Sequence, residues 1–275
     1  MIDFIKTNDY LVCVDSDGTV MDSMTLKHRK VLAPKVISVF KMEAHKREIL
    51  KKWYELNLYK ETRGLNRFIA LDSILRYAAQ FGYNYEGYND YHNWVLTTKS
   101  LSVKSLEEEI SNVGSSECME KALRWGKEVN EKIAKLPLAK PFKNAYVSIE
   151  ILSHNVDLLG VSSANEAAIT EEWRDAKIDK FFKAIGCQKD GTKEKIISEA
   201  LSLGYEASHV LMLGDSIGDL IAAKENGILF FPFIPYHENE SWTLLVNEGL
   251  NKFITGSFDR EYQDSLIERF RKALA

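Results

Sequence analysis

Three short apolar runs each end in residues suited to chemistry. Tyr10–Val14 leads into Asp15-Ser16-Asp17-Gly18-Thr19, and Val156–Val161 leads into Ser162-Ser163-Ala164-Asn165. Val210–Leu213 leads into Gly214-Asp215-Ser216-Ile217-Gly218-Asp219. Apolar runs bounded by Gly and polar residues predict strands buried on both faces of a parallel sheet. Helix-period patterns separate the later runs, over Asn165–Ala176, Thr192–Leu203 and Gly218–Glu225. Two more strands are expected near Lys183–Gly186 and Ile228–Phe231, the second stopped by Pro232. Alternation of this kind predicts an α/β fold with a doubly wound parallel sheet and right-handed crossovers.

The stretch between the first two runs is patterned differently. It offers helix-like segments over Lys35–Leu58, Asn66–Gln80, Ser105–Val113 and Glu117–Lys135 and no convincing buried strand. Leu136-Pro137-Leu138-Ala139-Lys140-Pro141 then breaks the periodicity, as a return linker should. We therefore expect a sheet-containing core over 1–20 and 140–275, interrupted by a mainly α-helical domain over 21–139. The tail from Ser241 to Ala275 reads as one or two further helices on the core.

Composition narrows the class without changing the architecture. The chain has 275 residues, 45% apolar and 28% charged, ordinary for a globular protein and too rich in apolar side chains for wholesale disorder. No apolar run approaches the roughly 20 residues that span a bilayer. The start, Met1–Lys6, has no secretory pattern, and Cys13, Cys118 and Cys187 form no CxxC pair. These features fit a cytoplasmic protein with free thiols, which makes the Asn239-Glu240-Ser241 sequon incidental. Charge is unevenly placed: Val20–Lys140 carries 21 Lys+Arg against 15 Asp+Glu, and the remainder 15 against 25. Anions would be drawn between such regions.

In open α/β sheets, ligands bind beyond the carboxyl ends of the strands. There the three best strand candidates place Asp15 and Asp17, Ser162, and Asp215 with Asp219. Four carboxylates crowded together call for a cation, and hard oxygen ligands select Mg²⁺.

With these residues in place, the sequence resembles the haloacid dehalogenase superfamily. Asp15-Ser16-Asp17-Gly18-Thr19 is similar to its first motif, Ser162 to its second, Lys193 to its third, and Gly214–Asp219 to its fourth. The helical insertion resembles the cap of the branch that includes phosphoglycolate phosphatase and β-phosphoglucomutase, though it is longer than is usual there. The resemblance implies a Rossmann-like core and a Mg²⁺-dependent phosphomonoester phosphatase acting on a small soluble phosphorylated metabolite. A phosphosugar mutase is the alternative, and a non-catalytic binding protein on the same scaffold the third class. On this reading Asp15 attacks phosphorus and forms an aspartyl phosphate. Asp17 protonates the leaving alcohol and then takes a proton from water. Lys193 and Mg²⁺ supply positive charge, the metal held by Asp15, Asp17 (through its carbonyl), Asp215 and Asp219, with Asp219 acting through water or by orienting Lys193. Ser162 and backbone amides near Asp17 and Ser163 bind phosphoryl oxygens, placing Gly18, Thr19 and Ser163 at the substrate. Lys189 and Lys195 compete with Lys193, and Ser163 with Ser162. Asp17 also speaks against haloacid dehalogenation, which in this superfamily uses neither a metal nor this second aspartate.

The insertion should choose the substrate. Arg63, in Thr62–Arg67, is placed to reach a substrate anion on a loop similar to one that enters the active site in this branch. The aromatic stretch Phe81–Trp94 either stacks on substrate or packs internally. The basic stretch Lys27–Lys52 reads first as a solvated face, and His28 falls one position from where the mutases place a histidine. An acidic core and a pI of about 5.9 exclude nucleic acid as the expected partner. Neither a membrane nor any oligomer beyond a monomer or dimer is called for.

Overall fold

Leu11–Val14 forms β1 with every side chain buried, so the strand is covered on both faces. In this computed structural model, which describes residues 2–60 and 62–275, β1 lies centrally in a five-stranded sheet. Its companions are β2 (Asp157–Val161), β3 (Ala184–Gly186), β4 (Val210–Gly214) and β5 (Leu229–Pro232). The order is β3-β2-β1-β4-β5 with every pair parallel. From β1 the chain winds outward through β2 and β3, then returns to the other side of β1 for β4 and β5. The reversal between β1 and β4 is where such sheets open a binding crevice. Val14 pairs with both Gly160 and Leu213, so the ends of β1, β2 and β4 are nearly level. Pro232 does not precede the end of β5 but occupies its last position, opposite Gly214, which the edge of a sheet tolerates.

Side-chain alternation divides the strands between two apolar clusters. Val12, Val14, Leu158, Leu211, Leu213 and Phe231 pack with Trp173 and Trp242 on one side. Leu11, Cys13, Leu159, Val210, Met212 and Phe230 pack with Ile196, Ile197 and Phe270 on the other. Helices Glu166–Asp175, Lys193–Leu201 and Ile217–Glu225 connect the strands as expected. Helix Ala145–Ser153, between the insertion and β2, was not anticipated. The tail forms helices Glu238–Leu244, Leu250–Ile254 and Arg260–Leu274, with a wider π-helical turn between the first two.

The chain divides into two compact units, Met1–Met24 with Leu138–Ala275, and Thr25–Pro137. Within the first, the outgoing and returning segments run side by side. Asp22 N–H donates to the Lys140 carbonyl, and Phe142 N–H donates to the Val20 carbonyl, both at 2.9 Å.

The second unit is helical. The stretch Lys35–Leu58 is not one helix: helix Ala33–Phe40 ends where Lys41 turns left-handed at φ 55°, and a second runs over Lys46–Tyr54. A π-helical turn, Glu55–Tyr59, follows. Asn66 and Ser102 cap helices Arg67–Ala78 and Val103–Val113 by accepting backbone N–H groups, the pairing that makes such residues favourable there. The tyrosine-rich stretch becomes helix Tyr88–Thr97, and its Tyr91 and Trp94 are buried. Trp94 meets Phe68 edge-on at 5.2 Å, so those rings build this unit's own core.

Candidate active site

Asp15 is the first residue beyond β1, and its N–H still donates to the Leu213 carbonyl at 3.0 Å. The turn that follows is wound around one acceptor. The Ser16 carbonyl takes the N–H groups of Thr19, Val20 and Met21 at 3.3, 3.0 and 2.8 Å. Gly18 adopts φ 89°, a conformation that a side chain would strain. Its N–H donates to the Met21 carbonyl at 2.9 Å. The amides of Gly18 and Thr19 are thus spent inside the turn. Both residues thereby shape the turn.

Lys193 opens its helix behind the cap Thr192, and its ammonium reaches two carboxylates. Nζ lies 2.6 Å from Asp15 Oδ1 and 2.5 Å from Asp219 Oδ1. The competing lysines face elsewhere: Lys189 pairs with Glu166 at 2.5 Å, and Lys195 donates to the Asp190 carbonyl at 2.9 Å. Asp219 is wholly buried, and its Oδ2 accepts from Ser216 N–H at 3.1 Å and Ser216 Oγ at 2.6 Å. Ser216 and Asp219 form a reciprocal capping box at the start of helix Ile217–Glu225. Both oxygens of Asp219 are therefore engaged, which suits orienting Lys193 better than direct metal ligation.

Asp15, Asp215 and Asp219 are all buried, and each presents a carboxylate oxygen within 4.8 Å of the others'. Burial pushes the Asp15 carboxyl well above its ordinary range; Lys193 opposes this, while Asp219 and Asp215 reinforce it. Burial disfavours charge on Lys193 too, but Asp15 and Asp219 outweigh it and raise the ammonium's pKa. One ammonium among three carboxylates leaves room for a divalent cation, and an all-oxygen donor set suits Mg²⁺. Thr19 is fully buried, with Oγ1 at 3.5 Å from both Asp15 Oδ2 and Asp215 Oδ1. Its hydroxyl stands between those two carboxylates.

Asp17 stands apart from the carboxylate trio. It is half-buried, and Ser23 Oγ donates to its Oδ1. Ser162 is the first residue beyond β2; its N–H donates to the Gly186 carbonyl at 3.0 Å, and its Oγ accepts the Ala164 N–H at 3.1 Å. Ser163 is exposed on the turn that follows. Arg63 belongs to the helical unit, where it is only 3% exposed and donates through Nη1 to the Leu58 carbonyl at 3.3 Å.

Several residues of the site escaped the sequence reading. Ser216 was findable, because Ser-x-x-Asp before a helix is a capping signature. Ser23, Trp173 and Trp242 carried no local signal. The Trp173 and Trp242 indoles reach Ser16 Oγ and the Thr19 carbonyl from distant parts of the chain.

Comparison with known proteins places this geometry in context. Residues 70–232, more than half the chain, match the family described as haloacid dehalogenase-like hydrolase. The match begins inside the helical unit and does not include the Asp15 turn. A 5'-nucleotidase of Pseudomonas aeruginosa is 47% identical over 55 residues, 18% of this chain and only 25% of that relative's length. A structure from Lactobacillus delbrueckii subsp. bulgaricus, provisionally called a phosphoglycolate phosphatase, is 14% identical with a TM-score of 0.50, over 82% of this chain and 85% of that one. A haloacid dehalogenase-like hydrolase of Streptococcus pneumoniae is 15% identical with a TM-score of 0.46, over 85% and 90%. At 14% identity the likeness to the Lactobacillus structure is one of fold. Among the described residues no helix is long and apolar enough to cross a membrane.

Proposed function

The chain belongs to the haloacid dehalogenase-like hydrolases, and from that premise we propose that it is a Mg²⁺-dependent phosphatase acting on a small phosphomonoester. The observation that carries this reading is the placement of Lys193 between Asp15 and Asp219, with Asp215 alongside. A nucleophilic carboxylate needs its charge compensated without being consumed, and phosphoryl transfer depends chiefly on positioning and charge neutralisation.

Asp15 is the nucleophile. Its carboxylate oxygen bonds to phosphorus as the ester oxygen departs, and Asp17 gives that oxygen its proton. Asp17, now a carboxylate, removes a proton from the water that attacks the aspartyl phosphate. Inorganic phosphate leaves and Asp15 is regenerated. Mg²⁺, held by Asp15, Asp215 and the Asp17 carbonyl, would neutralise the phosphoryl oxygens and favour ionised Asp15. Lys193 adds positive charge to the same side, and Asp219 holds it there. Ser162 Oγ, at the end of β2, is the candidate donor to a phosphoryl oxygen, with Ser163 beside it. The helical unit over 25–137 takes the role of the specificity cap, and Arg63 is retained as its candidate anion contact.

Phosphate release from a panel of esters, with Mg²⁺ and with EDTA, tests the reading. The panel should hold sugar phosphates, phosphoglycolate, p-nitrophenyl phosphate and nucleoside monophosphates, the last because of the short nucleotidase match. Metal-dependent release that Asp15→Asn abolishes in a folded protein is the expected result. Release that survives in Asp15→Asn would remove Asp15 as nucleophile.

A further inference from the structure

The turn carrying Asp15 and Asp17 is held from outside by two buried indoles. Trp242 Nε1 donates to the Thr19 carbonyl at 3.0 Å, and Trp173 Nε1 donates to Ser16 Oγ at 2.9 Å. Both side chains are completely buried. Trp242 comes from helix Glu238–Leu244, beyond β5, and meets Phe233 edge-on at 4.6 Å. Trp173 comes from helix Glu166–Asp175, with its ring centroid 4.4 Å from that of Phe182. Its seat exists because residue 160 is glycine: a Cβ there would stand 2.8 Å from Trp173 Cη2 and 2.9 Å from Cζ3.

We propose that Trp173 and Trp242 are positioning residues for catalysis, fixing the two ends of the Ser16–Thr19 turn. The proposal rests on the phosphatase reading above. Ser16 separates the proposed nucleophile from the proposed acid, so a shift of its side chain moves both. Thr19 stands between Asp15 and Asp215, so its carbonyl's anchor sets the spacing of the two carboxylates proposed to hold metal. An indole suits the task because it is rigid, offers a single N–H and loses few torsions on burial. Simple core packing would need the ring but not the N–H. Here both N–H groups end on the one turn that carries the chemistry.

Trp242→Phe and Trp173→Phe keep most of the apolar volume and delete the donor. Trp125→Phe is the matched control: that indole is equally buried but donates to the Leu32 carbonyl at 3.3 Å in the helical unit. We would measure kcat and KM on the best ester, Mg²⁺ affinity by calorimetry with the metal alone, and Tm. Each clamp variant should lose about tenfold in kcat, the scale of one unmade buried hydrogen bond, with KM within about twofold. Trp242→Phe should also bind Mg²⁺ about tenfold more weakly, while Trp125→Phe lowers Tm without either change. Ser16→Ala reaches the Trp173 bond from its other end, so it serves if an indole variant fails to fold, and combined with Trp173→Phe it should cost no more than either alone. Clamp variants with the kcat and Mg²⁺ affinity of Trp125→Phe would overturn the proposal. A wild-type protein that releases no phosphate would instead sink the phosphatase reading, leaving the Mg²⁺ titration to decide the clamp.

Discussion

The Lys193 ammonium lies 2.5 Å from Asp219 Oδ1, a carboxylate whose other oxygen closes the cap of the helix that follows β4. A helix start, a buried acid and the lysine are thereby joined, and Lys193 is held toward Asp15 at 2.6 Å. Removing the ammonium leaves Asp15, Asp215 and Asp219 buried together without their internal cation. Lys193→Met should lower kcat by about 10²–10³-fold, since it deletes a preorganised charge at the transferring group. It should also lower Tm in EDTA, and Mg²⁺ should restore more of that loss than it adds to wild type, because a cation then meets the greater charge imbalance. Thermal melts with and without Mg²⁺ check this; equal Mg²⁺ effects would show that the lysine does not balance the cluster.

Gly214 gives the same assembly a steric test. A Cβ at that position would fall 2.3 Å from both Cβ and Cγ of Asp219, so the carboxylate must move. Gly214→Ala should cost about 1–3 kcal/mol of stability through overpacking. It should reduce kcat more than Gly249→Ala does, where the added Cβ would meet Phe231 Cε2 at 2.9 Å, because only the former displaces the partner of Lys193. Denaturant midpoints and kcat on both variants decide, and equal kcat losses would mean that Asp219 placement is unimportant.

Ser23 prepares Asp17 in a comparable way, donating its hydroxyl to Oδ1. Ser23→Ala should lower kcat by about three- to tenfold through loss of one hydrogen bond to a charged group, leaving KM near its original value. In an Asp17→Asn background the same change should have little further effect, because the two act on one proton transfer. Additive losses in that cycle would separate Ser23 from the acid–base step.

These relationships show which parts of the molecule were legible beforehand. The strands were, because buried parallel strands are written as continuous apolar runs and their exits carried polar residues. Lys193 stood out from Lys189 and Lys195 through Thr192, a local helix-cap signal. The break at Lys41 was not legible, because a left-handed residue that is neither Gly nor Asn leaves no mark in the pattern. Arg63, expected on a loop that reaches a substrate anion, is almost fully buried, with a guanidinium N–H on the Leu58 carbonyl beside the π-helical turn, a packing that no local pattern announces. The contacts of Trp173 and Trp242 were beyond reach for a simpler reason. They depend on packing between segments separated by 157 and 223 residues, which no periodicity encodes.

At the opposite end of the sheet, Asp157 offers a test of stability apart from chemistry. It begins β2 opposite Leu11, at the start of β1, and is 2% exposed. Its Oδ2 accepts from the N–H groups of Thr7 and Asn8 at 2.8 and 2.9 Å and from Tyr205 Oη at 2.6 Å; Oδ1 accepts from Thr7 Oγ1 at 2.6 Å. Burial alone would raise its pKa, but the side-chain donors Thr7 and Tyr205 and the backbone donors outweigh burial and lower it. A carboxyl whose folded pKa lies below the unfolded value of about 3.9 stabilises the fold fully above that value, and the contribution disappears as pH falls through the folded pKa. Asp157→Asn should therefore destabilise the protein by about 2–4 kcal/mol at pH 7, since one acceptor oxygen becomes a donor among donors. Near pH 3, below the unfolded value, the gap between variant and wild type should narrow, because the unfolded chain then binds a proton that the folded carboxylate resists. Urea unfolding at both pH values measures the gap, with unchanged m-values as the condition for comparison. A gap that stays constant would mean the charge on Asp157 contributes nothing and that the loss is one of shape alone.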